Sequence, residues 1–442
     1  MNRYLLILAI FISSSLFAQK KDGRDSIIAQ MKIAAKELLI DKSYPNNIDK
    51  DYGGYLSTFT YDFKPYGDQD KMIVTQARHI WSTSKAAQFY NDTSYIGMAR
   101  HGFYFLRDKM WDNEFGGFYS LVTRKGEPKS TMKEAYGNSF AIYGLAAYYA
   151  ASGDTAALNL AKKGFMWLEQ HSHDPKYKGY FQHLERNGTP IVRPSSTPGT
   201  SDLGYKDQNS SIHLLESFTE LYSVWKDPLL KERLNEMLLL IRDTMIGSKG
   251  YLTLFFYPDW KPVSNRDSSK EIILERRGLD HVSFGHDVET AFLMMEASEA
   301  LGIEHDKKTW ETGKHLVDHS LQTGWDNKTG GFYDEGYYFK NTPGKMTILR
   351  NTKNWWAQSE GLNTLLIFSD LYPDDKMNYW EKFKKLWNYT NTYLIDHQYG
   401  DFYEFGLDNS PKSRTAMKAH IWKGTYHSFR ALSNCIRRLE KS

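Results

Sequence analysis

A single cysteine, Cys435, is present among the 442 residues of the chain. One thiol cannot form an internal disulfide, so a small fold held together by disulfide bonds is excluded. Net charge is also low, because 56 Lys and Arg nearly balance 53 Asp and Glu. Without a basic excess or a basic block, the chain does not have the pattern of a nucleic-acid-binding protein.

Long apolar runs are scarce, and the one clear example lies at the N-terminus. It extends from Tyr4 to Phe17, follows Arg3, and is succeeded by Ala18. The run falls short of the roughly 20 residues that a membrane-spanning helix needs. A basic residue, a short apolar run and a small residue are typical of a secretory signal peptide. We therefore expect a signal peptide at residues 1–18 and a periplasmic or secreted protein that has no membrane contact after cleavage.

Glycine and aromatic residues, by contrast, recur in a regular pattern. Gly-Gly-aromatic sequences begin at Gly53, Gly116 and Gly330, and weaker copies lie near residues 179, 250 and 401. The copies are about seventy residues apart, a period that indicates a repeat architecture. Each repeat holds two segments with apolar residues spaced three or four apart, as helices require. The predicted helices are 26–42, 73–91, 95–110, 134–152, 155–171, 207–225, 229–246, 287–302, 306–322, 354–371, 377–395 and 420–439.

The loops between these helices alternate in length. Short loops follow the even-numbered helices, and long loops with the Gly-aromatic turns, expected as small β-hairpins, follow the odd-numbered ones. Twelve helices in six hairpin repeats predict an all-α fold, an (α/α)6 barrel with the even helices inside. We expect residues 19–442 to form this single catalytic domain, as a monomer or weak dimer. A flat solenoid is the competing topology.

Polar and aromatic residues stand at the starts of all six predicted inner helices. In a closed barrel these starts meet at one rim. One polar residue at a helix start can be a cap, but a set contributed by every repeat favours a substrate cleft, with Asn138 and Glu360 among the substrate-binding residues. The full set is Arg78, Tyr136, Asn138, Asn209, His213, His286, Glu289, Trp355, Trp356, Glu360, Trp422 and His427.

Five segments resemble blocks of the N-acylglucosamine 2-epimerase and cellobiose 2-epimerase family. They are Gln76–Trp81, Asn209–Glu216, Phe284–Glu289, Trp355–Glu360 and Trp422–His427. The resemblance covers nearly all of the mature chain and implies an (α/α)6 barrel with no obligatory metal or organic cofactor. It further implies an acid/base pair, two supporting residues, two residues that hold the sugar, and two indoles that stack on it. By position these are His286 with His427, His213 with Glu289, Arg78 with Asn209, and Trp355 with Trp422.

The chain departs from the family pattern at two positions. Ser211 replaces one histidine of the usual Asn-Thr-His-Leu-His, and Thr425 replaces a proline before Tyr-His. Export is a further departure, because the disaccharide epimerases of this family look cytosolic. The superfamily also resembles secreted dehydratases that act on uronate-ended oligosaccharides from algal ulvan.

The same residues suit both reactions. Epimerisation removes the proton α to the aldehyde of an open-chain sugar, whereas uronate dehydration removes the C5 proton α to a carboxylate and expels water from C4. Both pass through an enolate-like charge that Arg78 could stabilise. Histidines suit either proton transfer because their pKa lies near neutrality. Glu289, one helical turn from His286, would fix the tautomer of that imidazole.

Basic residues in two long loops bear on the choice between these reactions. An arginine binds a carboxylate or sulfate through two parallel hydrogen bonds, so a basic roof favours an anionic sugar. Together with export and the two departures, it leads us to expect a dehydratase that forms a 4,5-unsaturated uronic acid, a hydro-lyase active in ulvan degradation. The alternative is a 2-epimerase of cellobiose, mannobiose or N-acylglucosamine. The roof residues are Arg186, Arg193, Lys206, Lys270, Arg276, Arg277 and His281.

Three other readings of the same residues stay open. His213 with Glu216, and His286 with Glu289, have the spacing of a two-helix metal site. Glu289 and Glu360 would be the carboxylate pair of a glycosidase. A sugar-binding protein without activity would need the aromatic residues but not two histidines.

Overall fold

Twelve long helices form most of the chain that this computed structural model describes, residues 23–194 and 201–441. The predicted signal peptide lies outside those residues. The outer helices are 23–43, Ser94–Phe105 continued by Leu106–Met110, Thr155–His171, Pro228–Leu240 continued by Ile241–Ile246, Lys307–Thr323, and Tyr379–Tyr389 continued by Thr390–Leu394. The inner helices are Ile73–Tyr90, Ala135–Ser152, Gln208–Val224, Phe284–Leu301, Trp355–Leu371 and Tyr426–Lys441.

The six inner helices close into a ring. Each packs against the next, and the last, Tyr426–Lys441, returns to pack against the first, Ile73–Tyr90. This contact between the two ends of the chain confirms the (α/α)6 barrel and contradicts the solenoid. No helix within the described ranges is both long enough and apolar enough to cross a membrane.

Short connections join each inner helix to the following outer helix at the rear of the barrel. Gly153 and Gly302 end two inner helices in the left-handed conformation, with φ of +74° and +72°, which suits a residue without a side chain. Asp154, Asp227 and Asp306 then cap the next outer helices by accepting hydrogen bonds from backbone N–H groups. The sharp reversals are therefore encoded locally.

The long loops at the opposite rim contain the small antiparallel strands that we expected. Two short helices, Lys270–Glu275 and Arg277–Asp280, lie in the loop before His286 and were not predicted. The last inner helix begins at Tyr426 instead of 420, because His420 and Lys423 pair in a turn. The strands are Lys71–Met72 with Leu121–Val122 and Pro128–Ser130, Lys133–Glu134 with His183–Leu184, Lys206–Asp207 with Phe255–Phe256, and Val282–Ser283 with Glu335–Tyr338 and Met346–Arg350.

A buried ion pair holds the rim in five of the repeats. In each, a lysine just ahead of an inner helix binds the aspartate that opens the preceding Gly-aromatic turn. Lys206, for example, lies 2.8 Å from Asp174 and also donates to the carbonyl of Lys178. We call this pair the rim lock; its members are Lys71–Asp49, Lys133–Asp112, Lys206–Asp174, Lys353–Asp326 and Lys418–Asp396.

A second recurring contact joins the fourth residue of an inner helix to the same turn. The amide of Gln358 accepts from the N–H of Phe332 and donates to its carbonyl, and Gln76 binds Tyr55 in the same way. Asn138 holds the equivalent place, because its Oδ1 accepts from Phe118 N and its Nδ2 donates to Glu134 O. The structure thus gives Asn138 a role in fixing the turn, whereas we had predicted that it binds substrate.

Candidate functional site

Two histidines from different repeats lie beside one indole at the rim. The ring of Trp356 lies 4.7 Å from the imidazole of His286 and 5.8 Å from that of His427, measured between centroids. Gly285 makes room for this indole, because a methyl group at its Cα would lie 2.6 Å from the Trp356 ring. Both members of the predicted acid/base pair therefore lie beside Trp356.

A buried guanidinium, that of Arg430, organises the charge behind these histidines. It pairs with Glu216, Glu289 and Glu360, which come from three different inner helices. Glu360 in turn holds His427, with 2.6 Å between its Oε1 and the imidazole Nδ1. Arg430 lies one helical turn after His427, so the two residues project to the same side of the last inner helix. Sequence reasoning missed Arg430, although its spacing from His427 was a usable signal.

The carboxylates around Arg430 cannot all be charged, because three anions would surround one cation in a buried site. Burial raises the pKa of Glu360 well above its usual value, despite the attraction of Arg430. Burial, with the charges of Arg78 and Arg430, lowers the pKa of His427 well below its usual value. Both directions favour a protonated carboxyl group on Glu360 and an uncharged imidazole on His427.

Glu216 behaves differently from Glu360. Burial opposes its ionisation, but the charge of Arg430 and the hydrogen bond from His213 lower its pKa to about 2. Its Oε2 lies 2.8 Å from Nδ1 of His213, and it also accepts from the hydroxyl of Tyr426. Glu216 and Arg430 therefore form a charged pair, and Glu216 holds the imidazole of His213.

His286 has a neutral partner instead of a carboxylate. Its Nδ1 lies 2.8 Å from the hydroxyl of Ser283, and burial lowers its pKa to about 3. Glu289, which we expected to fix the His286 tautomer, turns to Arg430 and approaches Nδ1 of His427 at 4.0 Å. That expectation was wrong, because the buried guanidinium is the stronger partner for a buried carboxylate.

Arg78 and Asn209 meet at the hydroxyl of Tyr136. Arg78 donates to this oxygen over 3.1 Å, and Asn209 also hydrogen-bonds to it. The Arg78 guanidinium lies over the rings of Phe140 and Tyr426, and its Nε has no partner among the described residues. Its charge is close enough to depress the pKa of His427. A cation thus stands beside His427.

Known proteins resemble this chain in sequence. The model of the N-acylglucosamine 2-epimerase (GlcNAc 2-epimerase) family matches residues 54–431. The chain belongs to this family. A cellobiose 2-epimerase of Bacteroides fragilis is 29% identical over 87% of this chain and 92% of its own. A D-mannose isomerase of Marinomonas mediterranea is 22% identical over 90% of this chain and 94% of its own.

A solved structure shows the same fold. The cellobiose 2-epimerase from Spirochaeta thermophila superimposes with a TM-score of 0.81, covering 95% of this chain and 98% of that one, at 24% identity. These comparisons support an enzyme of the 2-epimerase family that takes a sugar substrate. They lend no support to the expected lyase activity or to an ulvan branch.

Two tryptophans predicted to stack on sugar are placed differently from Trp356. Trp355 is only 6% exposed and packs within the barrel wall, where its ring meets His420 edge-on. Trp422 lies in the turn ahead of the last inner helix, and 47% of its surface is exposed. The structure therefore makes Trp356, not Trp355, the indole that borders both histidines. Adjacent tryptophans on a helix point in different directions, and sequence alone did not show which faces the cleft.

Three of the seven residues of the expected basic roof are engaged in ion pairs. Arg186 pairs with Asp112, Lys206 belongs to a rim lock, and Arg277 pairs with Glu335. Cations engaged in this way are not free to bind a uronate or sulfate. The structural reason for preferring the dehydratase is thereby weakened.

The contacts of Arg430 also contradict two of the other readings, the metal site and the glycosidase. Glu289, Glu360 and Nδ1 of His427 come close enough to hold a metal ion, but both carboxylates already bind the guanidinium of Arg430. The same contacts prevent Glu289 and Glu360 from facing each other across a glycosidic bond. His213 hydrogen-bonds to Glu216, its expected co-ligand, instead of leaving Nδ1 open to an ion.

The repeat that carries His286 lacks the rim lock. Val282 occupies the position of the lysine, and Gly247 that of the aspartate, because Met245 O accepts from Thr253 N as the residue two before the aspartate does in the other repeats. A cavity of about 110 Å³ borders this place, lined by Lys249, Tyr251, Arg266, Asp280, His281 and Val282. The strand that leads into His286 is therefore held by other contacts than in the remaining repeats.

Proposed function

We propose that this protein is a sugar 2-epimerase that moves the C2 proton of a reducing-end hexose, with a disaccharide such as cellobiose or mannobiose as substrate. The observation that carries the proposal is the pair of uncharged histidines, His286 and His427, that both contact Trp356. Two such groups can serve opposite faces of one carbon. The cellobiose 2-epimerases among the relatives support the substrate class.

The reaction begins on the open-chain aldehyde. Nε2 of His286 takes the C2 proton, and the electrons of the C–H bond move into C1–C2 while the carbonyl becomes an enolate oxygen. Arg78 stabilises that charge through its guanidinium. His427 then delivers its Nε2 proton to the other face of C2 while the proton of Glu360 moves onto Nδ1 of the same imidazole, and the carbonyl re-forms. In the reverse direction the two histidines exchange roles, and exchange with solvent restores their protons.

Return of the proton to C1 instead of C2 would yield a ketose, the product of an isomerase. The D-mannose isomerases among the relatives make this the outcome to distinguish. Purified protein should be incubated separately with cellobiose, mannobiose and a uronate-ended oligosaccharide, and the products separated by chromatography. We expect a 2-epimer as the main product. Growth of ultraviolet absorbance with the uronate substrate, and no epimer from the others, would overturn the proposal in favour of the dehydratase.

We also propose that the enzyme acts after export, on the strength of the apolar segment Tyr4–Phe17 and the small Ala18. Mass spectrometry of the protein recovered from its native host tests this. The expected result is an N-terminus at Gln19 in an extracytoplasmic fraction. An intact N-terminus in the cytoplasm would contradict it.

A further inference from the structure

Ser283 occupies the cap position of the inner helix Phe284–Leu301, yet its side chain does not cap the helix. At the same position of two other inner helices, Asp207 and Asn354 accept hydrogen bonds from backbone N–H groups of the first turn. A serine at this position usually stabilises a helix by such a hydrogen bond. The hydroxyl of Ser283 does not cap its helix and instead lies 2.8 Å from Nδ1 of His286.

The neighbourhood leaves Ser283 as the hydrogen-bond partner of His286 Nδ1. Glu289 is engaged with Arg430, and Asp287 accepts from the N–H of Leu252 with its Oδ1. The rim lock that fixes this strand in other repeats is missing here, because Val282 replaces the lysine. One short strand thus relies on a single hydroxyl to set the orientation of a site histidine.

We propose that Ser283 is a positioning residue for proton transfer by His286, an inference that rests on the proposed epimerase function. Its oxygen accepts the Nδ1 proton, which leaves Nε2 of the imidazole to face the sugar. A hydroxyl carries no charge, so it orients the ring without stabilising the imidazolium. His213 and His427 differ, since each has a glutamate side chain at Nδ1. His286 is therefore the one of these three histidines whose Nδ1 partner is a hydroxyl.

Three substitutions separate orientation from charge. Ser283→Thr keeps the hydroxyl and should retain kcat within about threefold, whereas Ser283→Ala should lower kcat by roughly 10-fold or more, in the range of a misplaced general base. Ser283→Asp places a carboxylate at Nδ1, as Asp207 shows this position can accommodate. It should raise the pKa of His286 and move the acidic limb of the kcat/KM profile to higher pH. Asp227→Ala, which removes a cap on an outer helix, is the control for loss of stability alone.

The titratable groups near His286 must be considered in reading that profile. They are His213 on the helix Gln208–Val224, His427 on the last inner helix, and His281 just ahead of the strand Val282–Ser283. The titration of His286 should therefore be followed directly by nitrogen-15 NMR of labelled protein, in wild type and Ser283→Asp.

The activity assay and the NMR titration test two separate claims. If wild type shows no epimerisation, the proposed function is wrong, while the NMR titration still reports on the contact. An unchanged His286 titration in Ser283→Asp overturns the positioning role. So does a Ser283→Ala enzyme whose kcat and pH profile match those of wild type.

Discussion

Glu289 and His286 lie one helical turn apart, yet Glu289 forms its ion pair with Arg430, which is 141 residues away in the chain. This pairing leaves His286 and His427 with different hydrogen-bond partners. His427 has Glu360 directly at its Nδ1 and Glu289 at 4.0 Å, whereas His286 has the hydroxyl of Ser283. The site therefore contains one histidine that shares a proton with a carboxyl group and one that does not.

Removal of Arg430 should be costly. In Arg430→Met the carboxylates of Glu216, Glu289 and Glu360 lose their shared cation, and breaking a buried ion pair in this way costs about 3–5 kcal/mol. We expect a large loss of unfolding free energy, measured by urea denaturation, and a loss of turnover. Arg437→Met removes an exposed guanidinium two turns further along the same helix and should change neither by much. Near-wild-type stability of Arg430→Met would contradict the role assigned to the cluster.

The two adjacent tryptophans should respond differently to substitution. Trp356 borders both histidines, so Trp356→Ala should lower kcat/KM by about 10- to 100-fold, the loss of one to three kcal/mol of ring contact. Trp355 is buried in the wall, so Trp355→Phe should mainly lower Tm. Steady-state kinetics and thermal unfolding of both variants test this. Equal losses of kcat/KM in the two variants would show that the indole facing the histidines has been assigned wrongly.

A rim lock contributes stability away from the chemistry. Lys206→Met leaves Asp174 buried without its lysine, which we expect to cost about 3–5 kcal/mol of unfolding free energy. The double substitution Lys206→Met with Asp174→Asn removes the stranded charge and should recover part of that loss. Urea denaturation of both variants is the measurement. If the single variant were as stable as wild type, the rim locks would not hold the loops.

Acid should destabilise the fold through His79. Burial lowers the pKa of this imidazole to about 3 from an ordinary 6.5, so between these values the unfolded chain binds a proton that the folded chain does not. Stability then falls as pH decreases below 6.5, by about 2 kcal/mol at pH 5. His79→Gln should remove this part of the pH dependence. Burial raises the pKa of Glu134 to about 7 and acts in the opposite sense, so the difference between wild type and variant is the quantity to measure.

The barrel was predictable because its information is local and repeated. Apolar spacing set the helices, and the Gly-aromatic turns at Gly53, Gly116 and Gly330 set the period. The ends of the helices were less predictable. The last inner helix, for example, starts at Tyr426 because the turn at His420–Lys423 precedes it. No spacing rule in the sequence indicates that turn.

The site was predictable in its members but not in its contacts. His213 and Glu216 are a local pair, and they meet as their spacing indicates. His286 and Glu289 have the same spacing and do not meet, because Arg430 reaches Glu289 from the last inner helix, two helices further along the ring. Such competition depends on side chains from distant repeats, and it becomes visible only when the barrel is closed.

The central claim is that His286 and His427 exchange a proton with C2 of a reducing sugar. Proton NMR of cellobiose in D₂O with wild type, His286→Gln and His427→Gln tests it most directly. We predict that wild type replaces the C2 proton with deuterium as the 2-epimer forms, and that both variants lose epimer formation by roughly 100-fold or more. Epimer formation at the wild-type rate in both variants, or deuterium at no carbon with wild type, would contradict the account.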